Sequence, residues 1–184
     1  MKRRTLGDYV AHVRAAVVPQ VVLLCGTTGS GKTTLAAELE RDLPAIRFSV
    51  DDWMIGLFGA HMARELFDAR NDTIKELLWR KVERLVALRV NVVLDYGFWR
   101  ADERAAAARR VVVAGGEPVL VYLDVPVATL AERLERRNAA LSPGTFEVTR
   151  AMLDLFLAKF EAPTQDEGLE VIVVSDIDAA DRTR

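Results

Sequence analysis

"VVLLCGTTGSGKTTLAAELERDL" (21–43) changes character twice. Five apolar residues run into a glycine-rich turn, and the turn runs into a segment of good helix formers. Gly26 to Thr33 fit the pattern of glycine, four residues, glycine-lysine and serine or threonine. Glycines there let the backbone approach an anion closely, the amide hydrogens point inward, and the helix start adds positive potential. The stretch therefore reads as a phosphate-binding loop, with Gly26, Thr27, Thr28, Gly29, Ser30, Gly31, Lys32, Thr33 and Thr34 around the phosphates of a nucleotide. Lys32 is placed to reach the terminal phosphates, and the Thr33 hydroxyl to bind Mg²⁺. The alternative is a chance glycine turn. With glycine at about 7% of residues, the whole pattern arises by chance on the order of once in a hundred such chains.

Outward from the loop, two kinds of segment alternate. "VVLLC" (21–25), "IRFSV" (46–50), "NVVLD" (91–95), "PVLVYLD" (118–124) and "LEVIVV" (169–174) are short and almost continuously apolar. Strands covered on both faces of a parallel sheet read this way. Between them lie segments with helical spacing. In residues 71–89, Ile74, Leu77, Leu78, Val82, Leu85 and Leu88 mark one face. An Ala-rich segment ends at Gly115-Gly116, and two more helical segments follow, around 125–140 and 149–163. Such alternation implies right-handed crossovers and a layered α/β fold. No repeat or linker divides the chain, so residues 1–184 read as one domain. Pro143-Gly144 marks the clearest late interruption.

Composition narrows the function classes. The chain has 184 residues, 51% hydrophobic and 28% charged, with a formal net charge of −2. There is no global basic field to capture nucleic acid. The single cysteine, Cys25, excludes an intrachain disulfide and suits a reducing cytoplasm. Asp8, His12 and Arg14 interrupt the apolar stretch near the N-terminus, which argues against a secretory signal. No run of about 18 apolar residues is present to cross a membrane. The expectation is a cytoplasmic protein without a membrane segment.

Two acidic positions fall where strands should end: Asp51 and Asp52 in "RFSVDDW", and Asp95 in "NVVLDYGFW". Ligands of open parallel sheets collect outside the carboxyl ends of the strands, the edge that also carries the phosphate loop. One carboxylate there can accept the proton of an attacking hydroxyl, and another can hold metal-bound water or the acceptor itself. Asp52 is equally placed to cap a helix over "WMIGLF". Trp53, Phe58, Tyr96, Phe98 and Trp99 follow the acids. Trp53 and Trp99 are candidates to line an acceptor pocket, although each of these aromatics is more often a core residue than a ligand platform. His61 has no metal-ligand cluster around it and reads as structural. Arg133 and Arg137 lie four apart on one helical face, beside Arg136, and are candidates to neutralise charge on a moving phosphoryl group. They equally fit helix-end cations paired with Glu132 and Glu135.

With these motifs the chain resembles the small phosphate-loop kinases, a group including chloramphenicol phosphotransferase, zeta toxins and polynucleotide 5′-kinases. "GTTGSGKTT", "FSVDDWM" and "RLERRN" carry the resemblance, which runs from Val21 to Val174. "VVLDYGFWRADER" is similar to bacterial kinases of undefined substrate. The resemblance implies a three-layer α/β/α sandwich with a five-stranded parallel sheet of order 2-3-1-4-5 and a short helical lid near 133–148. It also implies Asp51 as catalytic base, Arg137 as the lid arginine, and an adenine site near Ser175 to Ile177. One departure stands out: "DDWM" has Trp53 and Met54 where polynucleotide kinases carry an arginine for the substrate phosphate. That disfavours a nucleic-acid acceptor, although Arg64 or Arg100 is close enough in sequence to substitute.

The leading expectation is an ATP- and Mg²⁺-dependent kinase acting on a hydroxyl of a small molecule such as an antibiotic, sugar or other metabolite. Asp51 would be the base, Lys32, Arg133 and Arg137 the charge stabilisers, and Thr33 and Asp95 the metal side. Asp51, Asp52, Trp53, Asp95, Trp99 and Arg100 would face the acceptor. A 5′-hydroxyl polynucleotide kinase is the second reading, and a nucleotide-gated switch without an acceptor the third.

Overall fold

The structure, a computed structural model, describes residues 5–59, 62–140 and 147–175. His61, Pro143-Gly144, and Asp176 and Ile177 of the expected adenine site lie outside the described residues, as does the side chain of Arg64.

Five strands form one parallel sheet: β1 (Gln20–Cys25), β2 (Ala45–Ser49), β3 (Asn91–Gly97), β4 (Glu117–Asp124) and β5 (Glu170–Ser175). Their order is β2-β3-β1-β4-β5, the order that the resemblance implies. The register aligns Val22 of β1 with Val93 of β3 and with Val119 of β4. Alternate residues of each strand face opposite helical layers. Val22, Leu24, Val93 and Val121 pack with Tyr9, Leu35 and Leu39 from α1 (Leu6–Ala15) and α2 (Lys32–Asp42). Val21, Leu23, Leu94 and Leu120 pack with Trp79, Val82, Ala107 and Val111 from α4 (Arg64–Ala87) and α5 (Ala101–Val113). Every residue of β1 is buried, which is why its sequence reads as an unbroken apolar run.

Three expectations shift. The second strand ends at Ser49, because Ser49 caps α3 (Val50–Phe58) by accepting from the Asp52 amide at 3.2 Å. Asp52 therefore lies inside the first turn and is not the cap. The long helix α4 begins at Arg64, seven residues before the expected segment, because Gly59 at φ 78° ends α3 and lets the chain turn early. Its buried stripe is Ile74, Leu78, Val82 and Val86, while Leu77 and Leu88 are more than half exposed. A four-residue step, with Trp79 beside it, decides the buried face. Helix α1, not expected from the sequence, starts at a capping box of Thr5 and Asp8.

Helix α6 (Val127–Ala139) and helix α7 (Arg150–Lys159) form a satellite core of Leu130, Leu134, Val148 and Leu153. Asn138 holds both ends of the excursion between these helices. Its side-chain amide donates to Val148 O at 2.8 Å, and its carbonyl oxygen accepts from Val148 N at 3.3 Å.

Candidate active site

Strand β1 delivers Gly26, and the loop turns back through Gly29 at φ 80° into α2. At that positive φ a side chain is strained, and a Cβ on Gly29 would also press on Leu134 Cγ at 3.1 Å. Gly31 begins α2 without a side-chain cap, and no acidic residue occupies the first turn. The first amides of α2 are thus left for an anion, which is what a nucleotide phosphate supplies. Lys32 Nζ donates to Thr27 O at 2.8 Å, so its ammonium lies across the loop it serves.

The loop is braced from behind. Gly26 N donates to Gly97 O at 3.2 Å, and Trp99 Nε1 donates to Gly26 O at 3.0 Å. A Cβ on Gly97, at φ 87°, would collide with that indole nitrogen at 2.9 Å. Phe98 takes a positive φ of 43°, and its carbonyl accepts from Cys25 Sγ and from Arg104 Nη1. Arg104 is fully buried. It also donates to Glu161 O at 2.9 Å and pairs through two nitrogens with Glu167. This one guanidinium joins the segment after β3 to the segment before β5. Burial pushes the Cys25 thiol up to about 12, so Cys25 is an inert packing residue.

The expected catalytic groups converge. Asp95, whose side chain is only 5% exposed, lies near the end of β3 in register with Ser49 of β2, and Thr33 of α2 acts on its carboxylate. Burial raises Asp95 above the ordinary carboxylate range, against the pull of Lys32, Thr33 and Arg47. Asp51, in the first turn of α3, keeps an exposed surface but is raised too, first by crowding of its carboxyl away from water and then by the Asp95 charge, with Lys32 opposing. Lys32 is lowered by burial, and Asp95 and Asp51 pull it back up. Burial lowers Arg137, and its neighbouring charge is Asp51. Arg133 Nη1 donates to Ser30 O at 3.3 Å, which ties α6 to the loop. Lys32, Thr33, Asp51, Asp95, Arg133 and Arg137 thus form one constellation at the carboxyl edge of the sheet.

Two of the expected acceptor residues make other contacts in the structure. The Trp99 indole N–H is committed to the loop backbone, and its ring packs on Phe156 at 5.2 Å. Arg100 is paired with Asp102 by two 3.0 Å bonds at the start of α5, where neighbouring acids attract it. Trp53 is 47% exposed on α3, beside the acids. Sequence reasoning missed Arg47. It stands on β2, pairs with Asp52, lies 3.8 Å from an Asp95 oxygen, and reaches Glu40 at 3.8 Å. The signal was present as a lone cation inside the apolar run "IRFSV".

The donor set fits a hard divalent ion beside a nucleotide. Among the described residues no group of three His, Cys, Asp or Glu side chains stands ready to hold a metal. The Thr33 hydroxyl and the Asp95 carboxylate offer oxygen only, which suits an ion that takes its remaining ligands from phosphates and water.

The family model described as an AAA domain matches residues 21–163. The chain belongs to this AAA domain family. Its fold is that of the phosphate-loop kinases. A Chloroflexus aurantiacus protein provisionally classed as a kinase superposes with a TM-score of 0.68 at 21% identity, over 86% of this chain and 88% of that one. A chain of the Pnkp1/Rnl/Hen1 RNA repair complex gives 0.64 at 20% identity, over 77% of this chain and 44% of that one. A gluconokinase from Sinorhizobium meliloti gives 0.53 at 18% identity, over 86% and 83%. No curated protein matches the sequence. Within this AAA domain, no helix among the described residues is long and apolar enough to cross a membrane.

Proposed function

We propose that the protein transfers the γ-phosphate of ATP to a hydroxyl group of a small molecule. The observation that carries this reading is the placement of two carboxylates at the carboxyl edge of the sheet beside the loop: Asp95 in register with Ser49 of β2, and Asp51 in the first turn of the helix that Ser49 caps, both acting on Lys32. A protein that only binds nucleotide needs the first. The second is a base placed for an acceptor.

In this reading the amides of the loop and of the first turn of α2 hold the phosphates, and Lys32 neutralises the terminal ones. Thr33 and Asp95 would hold Mg²⁺, which would supply neutralisation of phosphate charge. Asp51 accepts the proton as the acceptor oxygen bonds to the γ-phosphorus and the bond to the β–γ bridging oxygen breaks. ADP leaves with that oxygen, and the proton passes from Asp51 to water. Arg137 and Arg133 enter from α6 and offset the charge that spreads over the transferring group.

The test is transfer from γ-labelled ATP to a panel of hydroxyl-bearing sugars, nucleosides and antibiotics, with a 5′-hydroxyl oligonucleotide alongside. The wild type is expected to label a small compound. Asp51→Asn is expected to lose at least about a hundredfold in rate, the scale of a positioned general base, while still binding ATP. Full transfer in that variant removes Asp51 from the role. The RNA-repair likeness keeps the oligonucleotide in the panel. Label on it alone, with affinity falling steeply in salt, would establish the polynucleotide reading instead.

A further inference from the structure

Helix α5 turns Arg104, Ala107, Ala108 and Val111 into the protein. Its opposite face carries Asp102, Glu103, Ala106, Arg109 and Val113, all exposed, Val113 to 88%. Asp102, Ala106, Arg109 and Val113 follow one another at steps of three and four residues, so they form one stripe, with Glu103 beside it. Charge along that face is symmetric. Glu103 and Asp102 stand three and four residues before Ala106, and Arg109 and Arg110 three and four residues after it. The acids are lightly held. Asp102 pairs with Arg100 at 3.0 Å, both side chains being more than half exposed, and Glu103 accepts from Arg100 N at 3.4 Å. Arg110 pairs with Glu76 and Glu83 at 2.8 Å each, whereas Arg109 has no carboxylate partner among the described residues. Beside this basic end a groove of about 530 Å³ runs between α4 and α5, its lining including Ala87, Ala106, Arg109 and Val113.

We propose that this face binds a second copy of the chain, with α5 antiparallel to its counterpart across a two-fold axis at Ala106. A two-fold interface must complement itself. The α5 face does so: Asp102 and Glu103 of each protomer come opposite Arg109 and Arg110 of the other. A parallel pairing would set acid on acid and base on base. Because Arg110 is committed to α4, the new ion pairs fall to Arg109, facing Asp102. The Arg100–Asp102 pair given up in exchange is exposed and worth little. Ala105 and Ala106 keep the axis free of bulk, so the backbones can approach to about 8 Å, the short end of helix packing distances. The partner's acidic first turn then covers the groove at its basic end and takes Val113 out of water. One helix pair is small against the roughly 1,200–2,000 Å² of a standard interface, so the dimer is weak, and salt loosens it.

Sedimentation velocity on the full chain, over a dilution series at low and at high salt, tests this. The wild type is expected to dimerise reversibly at low salt and to dissociate as salt rises. Arg109→Glu and Asp102→Arg each set like charges across the axis, and each is expected to weaken the dimer by more than about tenfold. An equimolar mixture of these two variants is expected to recover the dimer, since each supplies the charge that the other has lost. Misfolding of either variant cannot produce that recovery. Ala106→Trp, bulky at the axis, is expected to stay monomeric, alone and mixed with wild type. The proposal is overturned if the wild type is monomeric throughout, or if either charge variant dimerises as tightly as wild type. It is equally overturned if the mixture stays monomeric, or if Ala106→Trp dimerises normally.

Discussion

Asp51 and Asp95 are carboxylates that the fold makes costly to ionise, and that cost sets the pH response. A base must be deprotonated to act. With Asp51 raised above its ordinary value of 3.8, the acid limb of kcat/KM should lie above the usual carboxylate range and fall as pH drops through the shifted value. A pH-rate profile checks this, and a limb at or below the ordinary range would detach Asp51 from the rate. Arg47 gives a second prediction. It braces Asp95 and Asp52 without reaching the reacting atoms, so Arg47→Met should lose about tenfold in apparent Mg²⁺ affinity or in kcat, with Arg47→Lys recovering part of it. Titration of activity with Mg²⁺ separates this from simple unfolding. The sequence exposes Lys32, Thr33, Asp51 and Asp95 because loop chemistry and strand ends mark them. Nothing local marks the buried Arg104–Glu167 pair, whose members lie 63 residues apart. Nor does local sequence separate Trp99, spent on the Gly26 carbonyl, from Trp53, exposed beside the acids.

Among the elements, the inner strands β1, β3 and β4 were readable because burial on both faces removes alternation and leaves apolar runs. The edge strands β2 and β5 read as apolar runs although each has one buried residue. Helix starts were harder. The first turn of α4 carries no buried stripe to announce it, and α1 is short and charged, so its beginning rests on the Thr5–Asp8 box alone. The connection between α6 and α7 depends on Asn138, an amide that replaces two backbone partners at once. Asn138→Ala should cost about 1–2 kcal/mol, one or two hydrogen bonds' worth, read by denaturant titration. Glu167→Ala should cost more, about 3 kcal/mol, because it leaves the buried Arg104 charge with backbone carbonyls only. The same pairing holds the Glu167 carboxyl below its ordinary value of 4.5. Its stabilising contribution is therefore present above that value and is lost only as pH falls through the lowered one.

For the whole molecule, the active edge and the sheet pull in opposite directions. Each face of the sheet has its own apolar cluster, and residues such as Leu23 and Leu120 are fully buried between β-strands and helices. Leu23→Ala should cost about 3–4 kcal/mol by loss of burial and a partly unfilled cavity. The candidate site at the carboxyl edge stores charge that the folded state disfavours. A carboxyl raised on folding binds its proton more tightly in the native state. Its contribution is therefore fully present at low pH and is lost as pH rises through the folded value. At neutral pH, Asp51→Asn should accordingly raise the melting temperature of the free protein while removing transfer. That is the trade expected where a site is built for chemistry. A lower melting temperature for that variant would mean that Asp51 serves the fold.

The bond between the Trp99 indole and the Gly26 carbonyl makes the phosphate loop self-reporting. Emission from this tryptophan is coupled to the backbone that receives the nucleotide, while Trp79 lies buried in the core and Trp53 half-exposed on α3. Stopped-flow fluorescence on the unlabelled protein should then time nucleotide arrival and departure, with Trp99→Phe as the dark control.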